Sequence, residues 1–301
     1  MKKMGENICE IETTDIKYIF SSRASDSNKG NFGYVGIIGG SLEYSGAVKL
    51  ADLSASSLRA GCGVVRLIVP KGIAKAVAPY VLEQTIFPMQ DINDKMVFHQ
   101  EQINQALNKI KALAVGMGWG QSNEYVKILE YILSNYQMPI IIDADGLNTL
   151  SKMNLEILNN TKCKIILTPH LKEFERLSKI NVEEIKKDSI NLAKEFATKY
   201  NVILLLKGPT TIITDGNEVH LVKKGCAGMA TAGSGDVLSG ILVGLCGYNE
   251  PNLLTVAAGA FLNGLAGEIA QDKYTDISMV ASDTVKCLPE AIKLIREEIK
   301  V

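Results

Sequence analysis

The stretch PIIIDADGLNTLSKMNLEILNNTKCKIILTPHLKEFERL, residues 139–177, decides the fold. PIIIDA (139–144) and KIILT (164–168) are short, continuous apolar runs rich in β-branched residues, the pattern of strands buried on both faces. Each leaves through a polar loop, DADGLN or TPHLKEF, into residues with helical spacing. Working outward, the same unit recurs. YVGII (34–38), VVRLIV (64–69), ALAVG (112–116) and VILLL (202–206) are further strand runs, and helical spacing fills 45–61, 100–110, 122–135 and 182–200. This alternation predicts an α/β fold with an open, mostly parallel sheet and helices on both faces. Beyond VILLL the pattern changes to TTIIT (210–214), the turn Asp215-Gly216-Asn217, and EVHLV (218–222). That is a hairpin signal, which predicts an antiparallel edge. From Gly235 onward the chain reads as helical.

The 301 residues, 47% hydrophobic and 22% charged, suit one large domain with a substantial core and exclude disorder, collagen and disulfide miniproteins. We expect a single domain over 1–301, with 1–25 as an N-terminal extension. Lys plus Arg (32) balance Asp plus Glu (33), so the basic excess that a nucleic-acid partner needs is missing. The six cysteines, at 9, 62, 163, 226, 246 and 287, form no CxxC pair and read as reduced thiols of a cytoplasmic protein. No apolar export segment follows Met1-Lys2-Lys3. The most lipid-like stretch, 253–270, carries Thr255, Asn263 and Glu268 and fits an internal helix better than a membrane span.

Neither GxGxxG nor GxxxxGK[ST] occurs, so a bound nucleotide must be held another way. The strongest local signal is GMATAGSGDVLSGILVGL (228–245), a Gly-rich turn running into an apolar helix with Asp236 in its first turn. The backbone N–H groups of Ala232, Gly233, Ser234 and Gly235 can converge there as an anion cradle, with Asp236 beside it as a proton acceptor. Alternatively Asp236 only caps the helix. In LTPHLKEFERL (167–177), His170 and Glu173 lie at the carboxyl end of a strand, where ligands of open α/β sheets bind, though both also suit structural roles. Asp143 and Asp145 share that setting, and Asp145 can equally be an N-cap. LLLKGPTTIIT (204–214) brings Lys207, Gly208 and Pro209 to another strand end, an ordinary turn or a place for a phosphate or base. AVGMGWG (114–120) has three alternate glycines, and Trp119 either stacks on a ligand ring or covers the core.

Taken in this order, DSNKGNFGYVGIIGGSLEYSGA (26–47), GMGWG, DADGLN (143–148), LTPHLKEF (167–174), LKGPTTII (206–213) and GMATAGSGDVLSG (228–240) resemble the ADP-dependent (S)-NAD(P)H-hydrate dehydratases, a ribokinase-like family. The resemblance implies repair of hydrated NADH or NADPH: an adenine nucleotide phosphorylates the ring hydroxyl, and loss of phosphate restores the reduced nicotinamide. It implies that Ala47, Gly118 and His170 touch the hydrated dinucleotide, and that Lys207, Gly208, Pro209, Thr210, Thr211 and Gly235 hold ADP or ATP. By the same carry-over Asp236 is the base and Glu173 lies near Mg2+ or its water shell. It also implies a homo-oligomer, with a homotetramer suspected, no membrane partner, and a separate epimerase, since about 25 residues ahead of the matched region cannot hold one. Ser234 stands where the family often has Thr, and Gly146 where it often has Ala. The other reading of the same GSGD turn is an ATP-dependent kinase of a sugar or vitamin precursor, and a third is a nucleotide-binding module without turnover.

Overall fold

The computed structural model of the chain describes residues 2–5, 7–56 and 59–297. The strands are β1 (Lys2–Gly5), β2 (Ile8–Glu10), β3 (Tyr34–Ile38), β4 (Val64–Pro70), β5 (Thr85–Met89), β6 (Asp91–Ile92), β7 (Lys95–Met96), β8 (Ala112–Val115), β9 (Ile140–Ile142), β10 (Ile165–Leu167), β11 (Ile203–Leu206), β12 (Thr211–Thr214) and β13 (Val219–Val222). All except β6 and β7, which form a small separate hairpin, join one sheet in the order β1-β2-β13-β12-β11-β10-β9-β8-β3-β4-β5.

From β5 to β11 every neighbouring pair is parallel, and β12 and β13 return antiparallel as the expected hairpin. The hairpin does not end the sheet. Residues 8–10 pair parallel to β13 and 2–5 follow antiparallel, so part of the segment expected as an extension continues the sheet.

Burial follows the two-residue period of a strand. Ala112, Ala114 and Ile141 enter one core cluster, while Leu113, Val115, Ile140 and Ile142 enter the other. The first cluster lies under the helices Ser45–Ser56, Ser234–Cys246, Leu253–Tyr274 and Ala281–Glu297, and the second under Gln100–Leu107, Asn123–Asn135, Leu171–Ser178 and Ser189–Tyr200. Among the described residues, Leu253–Tyr274 is the one helix long and apolar enough to span a membrane. Its most apolar window is 78% buried inside the protein.

Helix limits differ from the sequence reading at a few places. Residues 57 and 58 of the expected helix 45–61, and 298–300 at the end of the last one, lie outside the described residues. The expected helix 182–200 breaks at Asp188 into Val182–Lys187 and Ser189–Tyr200, and 100–110 stops at Leu107 before the left-handed Lys109.

Sheet order locates the site. Strands after β3 in the chain (β4, β5) lie on one side of it, and β8 with its successors on the other. The carboxyl ends of β3 and β8 are therefore a topological switch point, where an open parallel sheet leaves a crevice.

Candidate active site

The turn after β8 is built on glycine. Gly116, Gly118 and Gly120 have φ of +113°, +64° and +75°, left-handed values that L side chains rarely adopt. A Cβ on Gly118 would also stand 2.7 Å from the Tyr44 carbonyl oxygen and 2.8 Å from Ala47 Cβ. Ser41 Oγ donates to the Gly118 carbonyl at 2.9 Å and accepts from Tyr44 N–H at 3.3 Å, joining the β3 and β8 turns across the switch point. Asp145 fixes the far side: Oδ2 accepts from Gly120 N–H at 2.9 Å, and Oδ1 from Gln121 Nε2 at 3.2 Å. It shapes the loop, and the residue at the N-cap is Ala144, with φ +49°. Trp119 is fully buried and stacked on Tyr125, ring centroids 4.7 Å apart, so it covers the core rather than a ligand.

Together these turns enclose a cavity of about 780 Å³, whose walls include Tyr44, Ala47, Gly118, Asp145, Glu173 and Asp236. A second cavity, of about 590 Å³, lies beyond Gly235. Lys207, Gly208, Pro209, Thr211, Ser234 and Gly235 line it. Both volumes are of ligand-binding size. Thr210, Ala232 and Gly233 do not line either cavity. Gly233 instead caps the helix Ser234–Cys246 at φ +94°, tight against Leu50. Ser234 Oγ donates to Met229 O at 2.7 Å, which pins the turn. The first turn of any helix leaves N–H groups without intrahelical acceptors, so Gly235 and Asp236 present theirs at the wall between the cavities.

Below that wall lies a buried charge cluster. Lys207 Nζ donates to Asp143 Oδ1 at 2.9 Å and stands 3.8 Å from Glu173 Oε2. Ser239 Oγ donates to Asp143 Oδ2 at 2.7 Å. Burial lowers the Lys207 pKa, but Asp143 and Glu173 outweigh it and raise the pKa overall, so Lys207 remains a cation. Burial raises Glu173 above the usual carboxylate range despite the lysine. Asp236 faces the same cluster from the start of its helix. Burial, and then the negative charge of Asp143, push it up to about 7. A carboxyl poised there accepts protons near neutral pH, which is what a general base needs.

His170 caps the helix Leu171–Ser178, its Nδ1 accepting from the N–H groups of Lys172 (3.1 Å) and Glu173 (3.3 Å). Glu173 answers by accepting from His170 N–H at 2.8 Å. The histidine side chain is half-exposed and lines neither cavity. Burial and the nearby Lys207 lower its pKa, which favours neutral imidazole. Among the described residues no three His, Cys, Asp or Glu side chains gather as a metal site. Glu173 and Asp143 already hold the backbone, Ser239 and Lys207. The donor set therefore does not form a protein cage for Mg2+ and fits it only through water or nucleotide phosphates.

Sequence reading singled out Lys207, Asp143, Glu173 and Asp236 separately, and the fold joins them. It missed Ser239, whose only signal is its place one helical turn after Asp236.

The family model for NAD(P)H-hydrate dehydratase matches residues 35–290, a span that contains both cavities and the wall between them. The chain belongs to the NAD(P)H-hydrate dehydratase family. An ADP-dependent (S)-NAD(P)H-hydrate dehydratase of Cenarchaeum symbiosum is 32% identical over 94% of this chain and 96% of its own length. A bifunctional NAD(P)H-hydrate repair enzyme of Moorella thermoacetica is 33% identical over 92% of this chain, which spans 52% of that longer protein. The chain thus covers about half the length of the bifunctional relatives. Among solved structures, the ADP/ATP-dependent dehydratase of Bacillus subtilis, co-crystallised with ATP and Mg2+, superposes with a TM-score of 0.80 at 25% identity, covering 94% of this chain and 97% of its own. A ribokinase-like protein of Enterococcus faecalis shares the fold, with a TM-score of 0.84 at 23% identity.

Proposed function

We propose that the protein dehydrates (S)-hydrated NADH or NADPH at the expense of an adenine nucleotide, giving reduced dinucleotide, AMP and phosphate when the nucleotide is ADP. The observation that carries this reading is the pair of cavities meeting at Gly235 and Asp236. The larger takes the hydrated dinucleotide against Ala47 and Gly118, with His170 Nε2 at its margin. The smaller takes ADP or ATP against Lys207, Gly208, Pro209 and Thr211. Asp236 accepts the proton of the ring hydroxyl as that oxygen attacks the terminal phosphorus of the nucleotide. The Gly235 and Asp236 amides hold the charge that develops, and Lys207 adds a buried cation.

Phosphorylation turns the hydroxyl into a good leaving group. The ring-nitrogen lone pair then expels phosphate, and loss of a neighbouring ring proton restores the double bond. Mg2+, carried by the nucleotide with Glu173 in its water shell, neutralises phosphate oxygens when bound. The six cysteines are all free, which supports a reducing cytoplasmic setting, and we propose a homo-oligomer by family likeness.

Product analysis tests the reading. Protein given ADP, Mg2+ and hydrated dinucleotide should regain reduced-nicotinamide absorbance while AMP and free phosphate accumulate. A stable phosphoester in place of free phosphate would instead establish an alcohol kinase.

A further inference from the structure

A third cavity, of about 550 Å³, lies at the opposite rim of the sheet. Its walls come from segments that immediately precede β3 and β4, namely Phe32 and Arg59–Gly61, and from Tyr248, Pro289 and Arg296. The chain has five arginines, and three of them, Arg23, Arg59 and Arg296, converge here. Among the described residues no Asp or Glu lines the cavity, and none of the three arginines makes an ion pair.

Two are held in place by neutral groups. Arg23 Nη2 donates to Gly61 O at 2.8 Å, while Arg296 donates to the carbonyls of Phe20 and Ser21. Carbonyl oxygens orient a guanidinium without cancelling its charge. Arg59 makes no hydrogen bond with any described residue. Three like charges facing one space repel each other, and a multivalent anion relieves that by bridging their N–H forks.

Besides Ser21 and Ser22, the remaining walls are largely apolar and include the flat rings of Phe32 and Tyr248. The Arg23 guanidinium lies 3.9 Å over the Phe32 ring, and Phe32 meets Tyr248 edge-on at 5.8 Å. A guanidinium stacked on one ring offers its outer face to a second planar group. We propose that this cavity is a second small-molecule site, separate from the active site, that takes a ring-bearing phosphate monoester of mononucleotide size. Phosphate meets the three guanidiniums, and the ring lies along Arg23, Tyr248 and Pro289. The assignment stands on the far rim, and only the second AMP class and its Gly208→Val control rest on the active-site reading.

Calorimetric titration with AMP tests it, with inorganic phosphate as the bare-anion control. Wild type should show two classes of AMP site. Arg59→Glu should weaken one class at least tenfold and leave the other, with Tm little changed because Arg59 has no hydrogen-bond or ion-pair partner among the described residues. Arg23→Gln should weaken the same class, and Gly208→Val, in the active-site cavity, only the other. A single class in wild type that is sensitive to Gly208→Val but not to Arg59→Glu would overturn the proposal. So would inorganic phosphate binding as tightly as AMP, or a change in sedimentation with Arg59→Glu, which would make the cavity a contact between two copies of the chain.

Discussion

Replacing Asp236 by Asn should make the protein slower and more stable at once, and the two effects share one cause. Burial and Asp143 raise the carboxyl from 3.8 to about 7. Below pH about 4 the group is protonated in both folded and unfolded chains and contributes no pH dependence. As pH rises from about 4 to about 7, the unfolded chain releases this proton and the folded chain keeps it, so stability falls across that window. Three pKa units at about 1.4 kcal/mol each set an upper bound near 4 kcal/mol. Partial exposure, and the loss of attraction to Lys207, reduce the expected gain to about 2 kcal/mol at pH 8. Urea unfolding from pH 4 to pH 8 reads it: Asp236→Asn and wild type should coincide at the acid end and separate as pH rises. Turnover of the variant should fall by on the order of 10² to 10⁴, the range for losing a general base. Wild-type kcat/KM should climb through pH about 7 as the carboxylate forms. An Asn variant that turns over normally, or that is less stable than wild type at pH 8, would refute the assignment of Asp236 as a buried, destabilised base.

Three other substitutions separate the parts of the site. Lys207→Met strands Asp143 and Glu173 without their cation and should cost about 3 kcal/mol in urea unfolding as well as ADP affinity, whereas an unchanged midpoint would mean that the cluster is solvated. Gly118→Val forces a branched side chain onto a left-handed residue against Tyr44 and Ala47, so KM for the hydrated dinucleotide should rise more than tenfold while ADP binding measured by calorimetry holds. A Cβ on Gly208 meets only Thr210 O, at 3.4 Å, so Gly208→Val should fold normally and weaken ADP about tenfold by intruding on the cavity.

Six parallel strands were legible because each is a continuous apolar run between turn signals. β5 was not, since Thr85–Met89 contains Pro88 and is partly exposed, and β1 and β2 are too short to carry a period. The break at Asp188 escaped because neither Gly nor Pro marks it. For the site, local chemistry at strand ends and at one helix start named the main residues. What the sequence could not give was their pairing. Asp143 and Lys207 are 64 residues apart and meet only because β9, β10 and β11 are adjacent and parallel. Trp119 shows the opposite limit: a tryptophan among glycines suits a ligand or a core equally, and only its stacking on Tyr125 decides.

The central claim is that two nucleotides meet at one carboxylate. A crystal structure of the protein soaked with ADP and NADPH measures this directly. ADP should occupy the cavity of Lys207, Gly208, Pro209, Thr211 and Gly235, NADPH the cavity of Ala47 and Gly118, and the nicotinamide ring and terminal phosphate should face each other across Asp236. NADPH displacing ADP from the Lys207 cavity, or a nicotinamide held away from Asp236, would contradict it.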